Sequence, residues 1–285
     1  MAGLITLIKS GFNTDGYYKS MNQALMRLND EYTMLHYPYH VDEGESFFTA
    51  QKNLTDYCIA SLPSLEGKRV LEVGCGNGVQ AAYIKEKFGP AYVLAIDLNA
   101  ANVEIARSEA ARLGLEGVEY DVGDAQDLSG IPDQDFDVVL NIESAFHYPD
   151  KPAFLREVKR VLKPGGHYLI ADILATPVRG NATKKQWKKG MHLNHWPRSA
   201  YEEELDRAAL QMEKLDDITD HVIRGFQNYR FWLKQMNKNG FVRDQLLKLF
   251  YTINVELNIR LLRKRRDYVV ITGVRPEGEP RSRGK

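Results

Sequence analysis

The chain is poor in the features that would tie it to several large protein classes. Its 285 residues include only two cysteines, Cys58 and Cys75, and neither belongs to a C-x-x-C pair or a zinc-type cluster. No disulfide framework or structural metal site is readable, and a reducing cytoplasm is the expected setting. No apolar run approaches the roughly 20 residues needed to cross a bilayer. The opening "MAGLITLI" is short, has no basic residue before it, and reads as the first turns of a helix rather than a leader. Neither sign of charge is in excess. The 38 Lys and Arg residues balance 38 Asp and Glu, so no global field favours nucleic acid or a membrane surface. No internal repeat is visible.

What is present is a regular alternation over residues 69–172. "RVLEV" (69–73), "AYVLAID" (91–97), "VEYDV" (118–122), "DVVLNI" (137–142) and "HYLIAD" (167–172) are short β-rich runs. Between them lie "GVQAAYIKEKF", "AANVEIARSEAARLG" and "KPAFLREVKRVLK", with apolar residues at helical spacing. Strands separated by helices imply right-handed crossovers and a doubly wound, mostly parallel α/β sheet. The expected division is a helical N-terminal lid over 1–60, a ligand-binding core over 61–172, a helical cap insertion over 173–265, a last core strand over 266–276 and a disordered tail over 277–285. The cap region also contains a candidate strand at 216–223 and all three tryptophans, Trp187, Trp196 and Trp232.

In such sheets ligands bind beyond the carboxyl ends of the strands. There the chain places "LEVGCGNG" (71–78), followed by Asp97, Asp124 and Asn141 at later strand ends. The glycines fit G-x-G-x-G from Gly74, and also G-x-G-x-x-A from Gly76, so spacing alone leaves a dinucleotide open. A Walker loop is excluded, because no basic residue occurs from 71 to 84. Glu72 beside the glycines would repel a pyrophosphate but stabilise an ammonium, while Asp97 could accept from both ribose hydroxyls. A nucleoside with an amino-acid tail and no phosphates suits this rim, and S-adenosyl-L-methionine is such a ligand.

"VLEVGCGNG", "AIDLN", "VGDAQDL", "FDVVLNIESAFHYPD" and "REVKRVLKPGGHYLIAD" resemble the successive motifs of class I S-adenosylmethionine-dependent methyltransferases, in order and spacing. The resemblance is to the branch acting on small or lipophilic acceptors, such as quinone, polyketide-lipid and natural-product methyltransferases. It implies a Rossmann-like fold with an antiparallel last strand. Gly74, Gly76 and Gly78 would admit the methionyl part of the cofactor, with Glu72 facing its ammonium. Asp97 would hold the ribose, Leu98 would pack on the adenine, and Asp124 and Ala125 would meet the adenine edge. Asn141 would sit near the methionyl portion, and an N-terminal aromatic, Tyr17 or Tyr18, would close over the cofactor. The "YEWGWG" box of sterol enzymes and the [ND]PP[FY] motif of nucleic-acid amino-methylating enzymes have no counterpart.

Methyl transfer to a hydroxyl is assisted by a base, typically by about 10²–10⁴-fold. His147, just after the fourth strand, is the candidate; Glu143 could position a hydroxyl or, more simply, hold structure. His36 and His40 flank Pro38 and share no helical face, while His192 and His195 could pair on one turn and reach the cleft. No acid or cysteine cluster completes a metal site. The basic runs at 184–190 and 260–266 read first as solvated helix faces, then as contacts to an anionic substrate or membrane surface. The expected acceptor is a small lipophilic molecule, methylated at oxygen, or else at carbon or nitrogen, and a homodimer is compatible with this reading. Readings from other classes are an NAD-dependent oxidoreductase and a non-catalytic S-adenosylmethionine-binding protein.

Overall fold

The computed structural model describes residues 14–29, 31–176, 193–235 and 242–278. Two helices lead in, α1 (Thr14–Asn29) and α2 (Phe47–Ala60). There follow β1 (Arg69–Val73), α3 (Val79–Phe88), β2 (Tyr92–Asp97), α4 (Ala100–Leu113), β3 (Val118–Val122), β4 (Phe136–Ile142), α5 (Lys151–Val161) and β5 (Leu162–Ala175). The remainder is α6 (Arg198–Arg207), β6 (Gln211–Asp217), α7 (Thr219–Gln235), α8 (Val242–Arg265) and β7 (Arg266–Val274).

The seven strands form one sheet in the order β3-β2-β1-β4-β5-β7-β6. β1 to β5 are parallel, and β7 runs antiparallel to both β5 and β6. The expected doubly wound, mostly parallel sheet with an antiparallel last strand is therefore present. Central strands buried on both faces need near-continuous apolar sequence. After the half-buried Arg69, "VLEV" meets this except at Glu72, which is buried all the same. The helices are set by local signals. Asn99 caps α4, accepting from the Ala101 amide, and Gly114 ends it in the left-handed region. Asp150 caps α5, which has proline in its first turn, Phe154, Leu155 and Val158 on its buried face, and Lys159 and Arg160 in its last turn.

The strand expected at 216–223 is shifted. β6 ends at Asp217, whose carboxylate caps the Thr219 amide at 3.0 Å, and α7 begins at once. Ile218, Val222 and Phe226 recur at four-residue spacing and are all buried, the pattern of a helix face rather than a strand. The N-terminal "MAGLITLI", Trp187, His192 and most of the tail lie outside the described residues, as do the side chains of Tyr17 and Trp232. Strand order reverses between β1 and β4, so the crevice at their carboxyl ends is the switch point where ligands sit in such sheets.

Candidate active site

A cavity of about 440 Å³ opens at that point. Its walls come from the glycine loop, the ends of β2 and β4, the loop after β3, the segment at Met34–His36, and Tyr18 of α1. Asp97 and Asp124 line it, and no lysine or arginine does among the described residues. A pyrophosphate would find no cation here.

The glycine loop is shaped by its own packing. Gly74, Gly76 and Gly78 all have positive φ, at 76°, 56° and 78°. A Cβ on Gly74 would overlap the Ser144 hydroxyl, and one on Gly78 would overlap Ala106 and Tyr120. Gly78 does not line the cavity; its role is to let the start of α3 approach α4 and β3. Of these three glycines Gly74 and Gly76 line the cavity, and a Cβ on Gly76 would stand 2.9 Å from Leu35 of the N-terminal segment.

Asp97 is held by three donors. Its Oδ2 accepts from the Gly76 amide at 2.9 Å, and its Oδ1 accepts from the Asn99 amide at 2.9 Å and Asn102 Nδ2 at 3.3 Å. The carboxylate is thus fixed on the cavity wall by the loop it helps to shape. Leu98 beside it is 70% exposed, an apolar side chain left for a flat ligand to cover. Across the cavity, Asp124 Oδ1 accepts from both the Gln126 amide and its side chain at 2.9 Å. Gln126 in turn accepts from the Asp150 amide, tying this loop to α5. Ala125 is buried and lines the same wall.

Glu72 and Asn141 stand behind the lining. Asn141 Nδ2 donates to the Val73 carbonyl, Ser144 Oγ and Tyr148 Oη at 3.1, 2.6 and 2.9 Å, locking the ends of β1 and β4 together. Its Oδ1 is buried and meets no donor. Neither oxygen of Glu72 has a hydrogen-bond partner. Burial, reinforced by the Asp97 carboxylate, pushes its pKa up to about 8. These orphaned acceptors lie behind the wall of an acid-lined cavity, where the local charge favours a cationic, phosphate-free ligand over a phosphate.

The β4 exit turns sharply. Glu143 has φ of 59°, unusual for a residue with a side chain. Its buried carboxyl accepts from the Tyr37 amide at 2.6 Å and the Tyr268 hydroxyl at 2.9 Å, and desolvation holds its pKa well above the usual range. It therefore pins the N-terminal segment and β7 to the cavity wall. His147 ends the helical turn Ala145–His147 and faces the cavity, with Nε2 2.9 Å from the Tyr18 hydroxyl.

Of the other histidines, His36 lines the cavity but is buried, and desolvation lowers its pKa to about 4. His40 contacts Glu45 and Asn228, away from the cavity. His195 does not line the cavity. It stacks on Phe146 at 5.4 Å, with Nδ1 2.6 Å from the Ile173 carbonyl. Burial lowers its pKa to about 3.

Reading the sequence alone missed the group that docks α1. Asn22 donates to Asn102 Oδ1 at 3.0 Å and accepts from Asn77 Nδ2 at 2.9 Å. Asn77 also donates to the Thr33 carbonyl at 2.8 Å. Three buried asparagines so join α1, the glycine loop and α4, and Asn102 passes the contact to Asp97. Ser144 and Tyr148 were also missed. Asn77 lies inside "CGNG", and Ser144 and Tyr148 lie inside "NIESAFHYPD", but Asn22 and Asn102 fall in no recognisable motif.

A family model described as a methyltransferase domain matches residues 64–237. The chain belongs to that family, whose methyl donor, S-adenosyl-L-methionine, fits the acid-lined, cation-free cavity. Among its relatives, the fatty-acid O-methyltransferase of Mycolicibacterium smegmatis is 36% identical over 206 residues, 70% of this chain and 67% of that protein. The phthiotriol/phenolphthiotriol dimycocerosates methyltransferase of Mycobacterium tuberculosis is 42% identical over 171 residues, 59% of this chain and 54% of that protein. The chain thus spans about half of that relative. The cyclase SpnF superposes with a TM-score of 0.75 at 21% identity, over 93% of this chain and 98% of that one. Phosphoethanolamine N-methyltransferase 2 of Haemonchus contortus, in complex with S-adenosyl-L-methionine, also gives 0.75, at 17% identity over 91% of this chain and 57% of that one. At these identities the two structures speak for the fold alone.

Proposed function

We propose that the protein methylates a hydroxyl oxygen of a small lipophilic or polyketide-like acceptor, with His147 as general base and S-adenosylmethionine as donor. The observation that carries this reading is the position of His147, which faces the same cavity as the glycine loop and Asp97 and has its Nε2 in hydrogen-bond contact with Tyr18 of α1. When bound, the cofactor supplies a methyl group on a sulfonium centre, open to in-line displacement. Asp97 holds the ribose hydroxyls, Leu98 and Ala125 cover the adenine, Asp124 meets its amino edge, and Glu72 faces the ammonium across the glycine loop. Tyr18 takes the closing role expected of Tyr17 or Tyr18, orients the imidazole and covers the cavity, so that water is kept from the reacting atoms. The acceptor hydroxyl gives its proton to the Tyr18 hydroxyl, which passes its own to His147 Nε2, as the acceptor oxygen becomes the nucleophile. The 1–60 segment then acts as a lid and 173–265 as the acceptor-side cap. Two relatives named for acyl-lipid substrates support a lipophilic acceptor.

Two measurements test this. Methyl-labelled S-adenosylmethionine incubated with fractionated cell extract should label the lipid fraction; label in RNA or protein would overturn the acceptor class. On the isolated acceptor, His147→Ala should keep its affinity for S-adenosylhomocysteine yet slow methylation at least about 100-fold. A rate that barely moves would make His147 structural.

A further inference from the structure

Helix α8 carries an apolar row that is left exposed among the described residues. Leu249, Ile253 and Leu257 are 56%, 60% and 44% exposed and follow one another every four residues, so they share one face. At about 100° per residue, that arc continues through Arg260 and Lys264, with Arg263 at its edge, and all three are exposed. The opposite side is packed, with Val255, Ile259 and Leu262 buried in the core. Glu256 is the only carboxylate from Lys248 to Arg265, and Arg230 holds it at 2.9 Å. Glu256 lies in the same arc, four residues before Arg260, but is paired with Arg230, and among the described residues no ion pair joins the basic last turns to their own helix.

We propose that this face of α8 docks on a membrane surface bearing anionic headgroups. The three aliphatic side chains enter the acyl boundary and the basic last turns beyond them sit on the headgroups, the apolar and basic stretches following one another along the exposed face. A second copy fits less well. An antiparallel α8–α8 contact would set each basic end against the other's apolar row, and a parallel one would set cations against cations. A stable protein interface also needs about 800 Å² per partner with charges kept from its centre. The whole chain carries no net charge, so the attraction is local to this face. Docking would also bring the leaflet close to the cavity wall. Asn258, next to Leu257, accepts from the Tyr37 hydroxyl at 2.8 Å, and the Tyr37 amide donates to Glu143 on that wall. The inference does not depend on which acceptor is methylated, since its test reads binding without turnover.

The test is co-sedimentation of the full chain with vesicles of phosphatidylcholine plus phosphatidylglycerol, and with vesicles of phosphatidylcholine alone. The chain should pellet with the first, less with the second, and less with the first as salt rises. Replacing Leu249, Ile253 and Leu257 together by Ser should weaken binding at least about tenfold. Arg260→Gln and Lys264→Gln should each weaken binding to the anionic vesicles about fivefold and leave the phosphatidylcholine result unchanged. Circular dichroism and S-adenosylhomocysteine affinity, unchanged in all variants, would exclude misfolding as the cause. No binding to anionic vesicles, or equal binding by the variants, overturns the proposal. So does a wild-type dimer in sedimentation velocity that the Ser variant dissociates, which would make the row a contact between copies.

Discussion

Replacing Glu72 with Gln should make the protein more stable and a poorer binder of its cofactor. In the folded chain both carboxylate oxygens are buried without a donor, and the pKa stands at about 8. In the unfolded chain the group titrates near its ordinary value, about 4.3. The folded state thus holds the proton more tightly. The contribution to stability is fully present below the unfolded value and is lost as pH rises through about 8. Each pH unit between the two values costs about 1.4 kcal/mol, which comes to about 4 kcal/mol at pH 7 and about 1 kcal/mol at pH 5. Gln is neutral and nearly the same shape, and its unpaired amide replaces an unpaired carboxyl, so that charge-linked cost disappears. Urea unfolding should find the variant more stable by about 4 kcal/mol at pH 7, with the gap narrowing to about 1 kcal/mol at pH 5.

The second half of the prediction concerns the ligand. An ammonium near Glu72 favours its charged form. Binding of S-adenosylhomocysteine at pH 7 should therefore release close to one proton, and affinity should rise as pH approaches 8. Calorimetry in two buffers of different ionisation enthalpy measures that proton directly. Glu72→Gln should abolish the release and weaken binding at least about tenfold, the usual worth of a hydrogen bond to a charged group. A variant no more stable at pH 7 than at pH 5, relative to wild type, would refute the burial argument. Unchanged affinity and unchanged proton release would refute the placement of the ammonium.

Three further substitutions read other parts of the site. Asp97→Ala removes the acceptor of the Gly76 and Asn99 amides along with both ribose contacts, so S-adenosylhomocysteine affinity should fall more than about 100-fold; unchanged affinity would overturn the ribose placement. Gly78→Ala combines a left-handed backbone with overlap on Ala106 and Tyr120 and should lower unfolding free energy by about 2–5 kcal/mol. If chemical denaturation shows less than about 1 kcal/mol, the start of α3 can shift, and Gly78 is not the packing constraint proposed for it. Asn22→Ala cuts the two bonds from α1 to Asn102 and Asn77, and cofactor affinity should fall about 5–30-fold. Combined with Asn102→Ala, the effects should be less than additive, whereas full additivity would show that Asn22 does not act through Asn102.

The sheet was legible in sequence because its signals are local: short β-rich runs for the strands and apolar residues at helical spacing between them. Asp97 and Asp124 could be placed on one rim because strand ends in a parallel sheet point the same way. What could not be read depends on partners distant in the chain. The glycines looked like room for a ligand, yet Gly78 is required by Ala106 and Tyr120, and Gly74 by Ser144. Asn141 looked like a ligand contact and is also the clamp between β1 and β4. The strand expected at 216–223 failed because β-rich composition and a four-residue apolar repeat overlap there, and packing of Val222 and Phe226 in the core favours the helix. The asparagine relay has no sequence signature at all, since its members come from α1, the glycine loop and α4. Its consequence is structural economy at the site. One helix carries Tyr18, which meets the proposed base, and Asn22, which reaches the proposed ribose holder through Asn102. Undocking α1 would therefore disturb the acceptor side and the cofactor side together, and the effect of Asn22→Ala should extend to the His147-dependent rate.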